Sequence, residues 1–292
     1  MLRWLPAPLK LVFASLAGAL NTVLVFLAFI PFALLKLCIP LTPVRKFADH
    51  CLVALANAWV KVNDLWMGTI EARRWQISGT DDLRPRGWYL VSANHQSWVD
   101  ILVLQSIFRG RIPFLKFFLK KELIYIPVLG LAWWALDFPF MRRGGKTLSA
   151  AAADMATARK SCEKFRHIPT SVINFLEGTR FTAAKHAQQK SPYKHLLKPK
   201  SGGASIALGT MGELFDALLD VTIVYPDGVP RFVDLLRGRM GRVIVDVNKL
   251  TIPAEFLGET ASADPQYRGK IQLWLNEQWA AKDQRIESLL KK

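Results

Sequence analysis

The run Leu11–Leu35 constrains this chain more than any other stretch, because 25 successive residues carry no charged side chain. As a helix it would extend about 38 Å, longer than the roughly 30 Å hydrocarbon core of a bilayer. Arg3 and Lys10 precede it, and Lys36, Arg45 and Lys46 follow it. Cations on both flanks leave its orientation weakly specified. Three readings are open: a tilted span, a helix that enters one leaflet and returns, and a soluble αα-hairpin packed on a neighbouring domain. A cleaved signal peptide fits poorly, since the run exceeds the usual apolar core and no small-x-small cleavage site follows it. Phe47–Trp66 is the candidate returning helix, with Leu52, Leu55, Ala56, Trp59, Val60, Asn63 and Trp66 near helical spacing.

The chain has 292 residues, enough for one α/β catalytic domain and an appendage. We divide it into a membrane-anchoring helical hairpin at 1–68 and an α/β domain at 69–292. Lys+Arg number 39 against 23 Asp+Glu, a net charge of +16, and the mean hydropathy is +0.17. High charge combined with high hydropathy points to an anionic membrane surface. Nucleic acid is not an expected partner, as neither zinc-finger spacing nor an aromatic RNA-binding strand motif is present. The three cysteines, Cys38, Cys51 and Cys162, have neither metal-ligand nor disulfide spacing, which fits a reducing compartment and no metal.

Beyond the hairpin, short apolar runs alternate with helical patterns. Trp75–Ser78, Trp88–Ala93, Ser171–Leu176, Val221–Tyr225 and Val243–Val247 read as strands. Ile101–Phe108, Thr147–Phe165, Gly202–Leu208 and Pro265–Leu290 read as helices, the last with Ile271, Trp274, Leu275, Trp279 and Ile286 inward. Leu123–Leu136 is uncharged, but Pro127, Gly130 and Asp137 cut it into pieces too short to span a membrane. Thr182–Lys200 is polar and reads as a mobile loop. The alternation predicts an α/β fold, a mixed sheet flanked by helices.

Two polar clusters follow directly on strands: Asn94–Asp100 and Glu177–Arg180. The carboxyl ends of strands are where open α/β sheets bind ligands. His95 and Asp100 have the chemistry of a general base and its orienting carboxylate. Five residues advance a helix by about 500°, or roughly 140° around its axis, so the two cannot share one helical face. His95 must precede the helix that contains Asp100. Ser97 reads as a helix cap.

These residues resemble a known family. Asn94-His95-Gln96-Ser97-Trp98-Val99-Asp100 is similar to the NHxxxxD motif of the glycerolipid (lysophosphatidic acid) acyltransferase superfamily. Phe175-Leu176-Glu177-Gly178-Thr179-Arg180 resembles its FPEGTR block, with Leu176 where Pro is usual. Lys120-Lys121-Glu122-Leu123, Arg143 and the strand ending at Tyr225-Pro226 occupy the places of the other two blocks. The longer text looks closest to the bacterial YihG-type branch.

The resemblance implies the glycerolipid acyltransferase fold and transfer of a fatty acyl group from a thioester to a lysophospholipid hydroxyl. The expected product is phosphatidic acid, made from 1-acyl-sn-glycerol-3-phosphate. His95 would take the hydroxyl proton and Asp100 would orient it. Lys120, Arg143, Glu177, Gly178, Thr179 and Arg180 would form the substrate site, with Arg180 on the acceptor phosphate. Lys198 and Lys200 are further candidates there. No cofactor is implied beyond the donor, acyl-CoA or acyl carrier protein. The expected place is the bacterial inner membrane, with the catalytic domain facing the cytoplasm. Another lysophospholipid or a lipid-linked acceptor is one alternative, and a non-catalytic membrane adaptor is another.

Overall fold

The structure, a computed structural model, describes residues 2–126, 128–138, 140–141, 169–262 and 264–291. The helix expected at Thr147–Phe165, together with Arg143 and Cys162, lies outside the described residues.

Two long helices open the chain, α1 (Ala7–Cys38) and α2 (Thr42–Ile70). They pack antiparallel around a small polar knot. Asn21 donates to the Asn63 side chain and the Trp59 carbonyl, each at 3.0 Å, and Trp66 Nε1 donates to Asn63 Oδ1. Among the described residues, α1 is the one helix long and apolar enough to cross a membrane. It is tied to the rest of the molecule at both ends. Ala14 is buried in the main core, while Phe29 and Ala33 pack with Leu52, Leu136 and Phe138. Lys36 then closes the elbow, pairing with Asp49 at 2.6 Å and with Asp137, and donating to the Ala135 carbonyl. The opposite side of α1 carries an exposed stripe that includes Leu9, Val12, Leu16, Leu20, Val23, Leu27 and Leu34.

The α/β part of the chain is built on a six-stranded mixed sheet. Its strands are β1 (Arg74–Ser78), β2 (Tyr89–Ala93), β3 (Leu115–Phe117), β6 (Ser171–Phe175), β7 (Ala217–Val224) and β8 (Arg242–Leu250). A separate parallel pair joins β4 (Leu119–Lys120) to β5 (Phe140–Met141). The sheet order is β1-β8-β7-β2-β6-β3, with β7 and β8 antiparallel and the other neighbours parallel. The central strands are buried on both faces, all five residues of β2 and all eight of β7, and β7 starts at Ala217, ahead of the Val221 expected from the sequence, where the buried Asp220 interrupts its apolar run.

One face is covered by α3 (Val99–Phe108) and the ends of the hairpin. The other is covered by α5 (Gly202–Met211) and the C-terminal α6 (Tyr267–Leu290). Gly203 permits the first of these to lie close, since a Cβ there would sit 2.6 Å from Asn174 Nδ2 on β6. On α6, Ile271, Leu275, Trp279 and Ile286 are buried and Trp274 is half-buried.

Two expectations change. Leu115–Phe117, which is not among the expected strands, is the sheet's edge strand. The segment 182–200 is anchored: α4 (Ala183–Gln189) starts it, with Thr182 accepting from the Lys185 amide. Asp283 then accepts the Lys194 and His195 amides, each at 2.8 Å, and Trp279 Nε1 donates to the Leu197 carbonyl at 2.9 Å. Its polar side chains find partners on the C-terminal helix, a pairing that local composition does not encode.

Candidate active site

Three neighbouring parallel strands, β7, β2 and β6, end on the same side of the sheet. Each delivers a functional side chain one or two residues beyond its end: Tyr225, His95 and Glu177. This convergence is the ligand position favoured in open α/β sheets.

Asn94 terminates β2 without breaking its pairing to β7. Its side-chain amide takes the place of a backbone unit, Oδ1 accepting from the Ile223 amide at 2.8 Å and Nδ2 donating to the Ile223 carbonyl at 2.9 Å. The main chain is thereby released to turn at His95. The imidazole is held on its Nδ1 side, 2.9 Å from Asp100 Oδ2. That same oxygen accepts the amides of Gln96 (2.7 Å) and Ser97 (2.9 Å), while Oδ1 accepts the Tyr225 hydroxyl at 2.5 Å. Asp100 is fully buried, so these donors replace its water. Burial, and then the Asp100 carboxylate, push the Tyr225 hydroxyl well above its ordinary pKa, which keeps it a donor. Ser97 accepts from the Val99 amide and donates to the Pro230 carbonyl, which makes it a structural cap. The Phe175 ring stacks on the imidazole, centroids 4.0 Å apart and planes 14° from parallel. With Nδ1 engaged, Nε2 is the ring nitrogen left to exchange a proton with a ligand.

Glu177, expected in the substrate site, is fully buried with both carboxylate oxygens taken by backbone amides, so it positions the turn. Its Oε1 accepts the His95 amide at 2.9 Å and its Oε2 the Leu197 amide at 3.1 Å. Burial pushes its pKa up to about 7, against the lowering effect of those two amides and the Lys282 ammonium. The turn is closed a second time by the Phe181 amide, which donates to the His95 carbonyl at 2.7 Å. Gly178 has φ +67°, where a side chain would be strained, and Lys200 lies over it: a Cβ would be 3.5 Å from Lys200 Nζ. Arg180 is exposed with its guanidinium over the Trp98 ring, 4.9 Å from the centroid. Lys185 Nζ donates to Thr179 Oγ1 at 2.7 Å and to the Arg180 carbonyl at 3.1 Å. Arg180, Lys185 and Lys200 therefore surround the turn that touches His95. Sequence reasoning missed Lys185, because it belonged to a segment read as mobile. Lys198 is exposed, with its amide bonded to Gln189.

Lys120 ends β4, opposite Met141 of β5; this fixes its backbone position. Arg143 is not among the described residues. No group of His, Cys, Asp and Glu among the described residues has the arrangement of a metal site.

Beneath the site, Lys282 of α6 is buried with no exposure. Its Nζ lies 2.8 Å from Asp220 Oδ1 and donates to the Val221 carbonyl at 2.8 Å. Burial lowers its pKa. Sequence patterning missed it, since a lysine on an inward helical face reads as a break in the pattern.

The family model "Acyltransferase" matches residues 74–226, the span from β1 through β7. Mouse 1-acyl-sn-glycerol-3-phosphate acyltransferase delta is 28% identical over 207 residues, covering 66% of this chain and 51% of the relative. Mouse lysocardiolipin acyltransferase 1 is 26% identical over 250 residues, covering 80% of this chain and 62% of the relative. The chain thus spans about half to three-fifths of the length of these relatives. Among solved structures, the 1-acyl-sn-glycerophosphate (LPA) acyltransferase PlsC from Thermotoga maritima superposes with a TM-score of 0.56 at 17% identity, covering 96% of this chain and 97% of that one. That likeness shows a shared fold, and the family match spans more than half of the sequence: the chain belongs to the acyltransferase family.

Proposed function

We propose that this protein moves a fatty acyl group from an acyl thioester, acyl-CoA or acyl carrier protein, to the free glycerol hydroxyl of 1-acyl-sn-glycerol-3-phosphate. The observation that carries this reading is the His95–Asp100 pair, with Nδ1 engaged and Nε2 free, together with the Arg180 guanidinium over Trp98 of the same motif. His95 Nε2 takes the hydroxyl proton as the oxygen attacks the thioester carbonyl. The C–O bond forms, the C–S bond breaks, and the imidazolium returns its proton to the departing thiolate. Asp100 holds the tautomer and stabilises the transient imidazolium. No nucleophile of the protein is needed. Arg180 grips the acceptor phosphate, bidentately by its planar fork. Lys120 and Arg143 join it by their motif positions.

The exposed apolar stripe of α1 supports seating the enzyme in one leaflet, because both ends of that helix are fastened to the catalytic domain. Thioester donors place the domain on the cytoplasmic side of a bacterial inner membrane in this reading. A second acceptor, another lysophospholipid, is favoured by the likeness to lysocardiolipin acyltransferase 1.

Purified protein given a labelled acyl thioester and mixed lysolipids tests the proposal by lipid mass spectrometry. Phosphatidic acid as the main labelled product is the expected result. His95→Ala should lose at least about 10²-fold in rate. Arg180→Lys should raise the KM for the phosphate-bearing acceptor, because the fork is lost. A His95→Ala variant that turns over like wild type would sink the mechanism.

A further inference from the structure

The elbow of the helical hairpin lines a cavity of about 520 Å³ that contains none of the residues around His95. It lies between the α1–α2 junction, the segment Trp134–Asp137 and Lys116 of the edge strand. Its size falls within the range of small-ligand sites. Four cations line it, Lys36, Arg45, Lys46 and Lys116, against two carboxylates, Asp49 and Asp137. Both carboxylates are already paired with Lys36. Arg45 and Lys46 are exposed, and their side chains make no ion pair or hydrogen bond among the described residues. The charges of Arg45 and Lys46 are therefore left for whatever enters.

The rest of the wall is apolar, with Leu52, Val53 and Leu136 behind the cations. The lip is apolar as well. Leu37, Leu41 and Phe47 are 58–60% exposed and extend the outer stripe of α1 around the elbow. A ligand fitting both parts has an anionic head within reach of Arg45 and Lys46 and a hydrocarbon tail that leaves over Leu37 and Leu41. Arg and Lys stems lie along apolar surface with their charges at headgroup level in such settings.

We propose that this cavity binds an anionic diacyl glycerophospholipid of the bilayer, at a site distinct from the acceptor site. The inference rests on the membrane-surface part of the reading above and not on the choice of acceptor. Such a lipid would fix the hairpin's depth and rotation on the membrane. Phe138, next to the cavity residue Asp137, stacks on Phe117, which stacks on Phe175 beside His95, so the seated elbow is packed in continuity with the catalytic ring.

Native mass spectrometry of the full chain, with phosphatidylglycerol and phosphatidylcholine of matched acyl chains, provides the test. One phosphatidylglycerol per chain should be retained, about 30-fold over phosphatidylcholine, given the worth of two cations near a lipid surface. Arg45→Gln with Lys46→Gln should reduce retention to the phosphatidylcholine level. Val53→Trp, which fills the cavity, should remove the bound lipid. Both variants should keep wild-type turnover on short-chain, water-soluble donor and acceptor. Equal retention of the two lipids by wild type, or undiminished retention in Val53→Trp, overturns the proposal. So does loss of short-chain turnover in the folded Val53→Trp variant, which would make the cavity part of the catalytic pocket. A wild-type protein without turnover on any lysolipid would instead defeat the acyltransfer reading, and the retention measurement would still decide the lipid site.

Discussion

Glu177 accepts the backbone amide of His95 at 2.9 Å and has no exposure of its own. The two motif segments that flank the ligand position are thus fastened to each other by a buried carboxylate. Its second oxygen takes the Leu197 amide, and the Leu197 carbonyl takes Trp279 Nε1, so the chain of bonds runs from the C-terminal helix to the base. Loosening any link shifts the imidazole relative to the Gly178–Arg180 turn.

The first consequence concerns pH. The folded-state pKa of Glu177 is about 7, above the ordinary 4.5. A carboxyl raised in this way favours the folded state when protonated, so its contribution is lost as pH rises from about 4.5 through 7. The loss amounts to about 3 kcal/mol. Urea denaturation at pH 5 and pH 8 should show wild type losing more stability over that interval than Glu177→Gln, which cannot titrate. Parallel changes in the two proteins would exclude the coupling. At pH 5 the variant should itself be less stable by about 1–3 kcal/mol, because its amide NH₂ faces a backbone N–H that needs an acceptor.

Asp100 offers one oxygen to three donors and the other to Tyr225. Asp100→Asn turns one of those positions into a donor and removes the charge that stabilises an imidazolium. Turnover should fall by about 10²–10⁴-fold, with KM for the acceptor nearly unchanged. Steady-state kinetics on purified variant decide this; a change of less than threefold in kcat would refute the orienting role.

Tyr225→Phe removes a single buried hydrogen bond and leaves Asp100 Oδ1 without that donor. A stability loss of about 1–3 kcal/mol is expected. The drop in kcat should be smaller than for Asp100→Asn, since the three donors to Oδ2 remain. Denaturation midpoints and kcat measured on the same preparation would separate the two effects, and a Tyr225→Phe variant as impaired in turnover as Asp100→Asn would contradict this ordering.

Lys282→Met strands Asp220 in the core without its cation, with 5% exposure left to the carboxylate side chain. The cost should be about 3–5 kcal/mol. Adding Asp220→Asn removes the stranded charge and should restore part of that loss. A double variant no more stable than Lys282→Met alone would show that the pair does not act as a unit.

The residues that meet at short range were legible in the sequence. Asn94, His95 and Asp100 sit within one strand-turn-helix, where the end of an apolar run and the start of a helix fix their order. Gly178 and Arg180 likewise follow a strand at once. The described strand positions expected from apolar runs hold within a few residues, in β2 and β7 because strands buried on both faces are mostly apolar. The tertiary structure decided which distant groups complete the site. Tyr225 reaches Asp100 across 125 positions, Ile223 pairs with Asn94 across 129, and Glu177 reaches His95 across 82. Those meetings depend on β2 lying between β7 and β6, an order that follows from packing both faces of the sheet and not from local periodicity. The same holds for Lys282, whose burial is tolerable only because Asp220 and the Val221 carbonyl lie beneath it. It holds too for α1, where the sequence required only that an uncharged helix avoid water. The fold divided that surface, one side to protein and the other to an exposed apolar stripe, since both of its ends are packed against the domain.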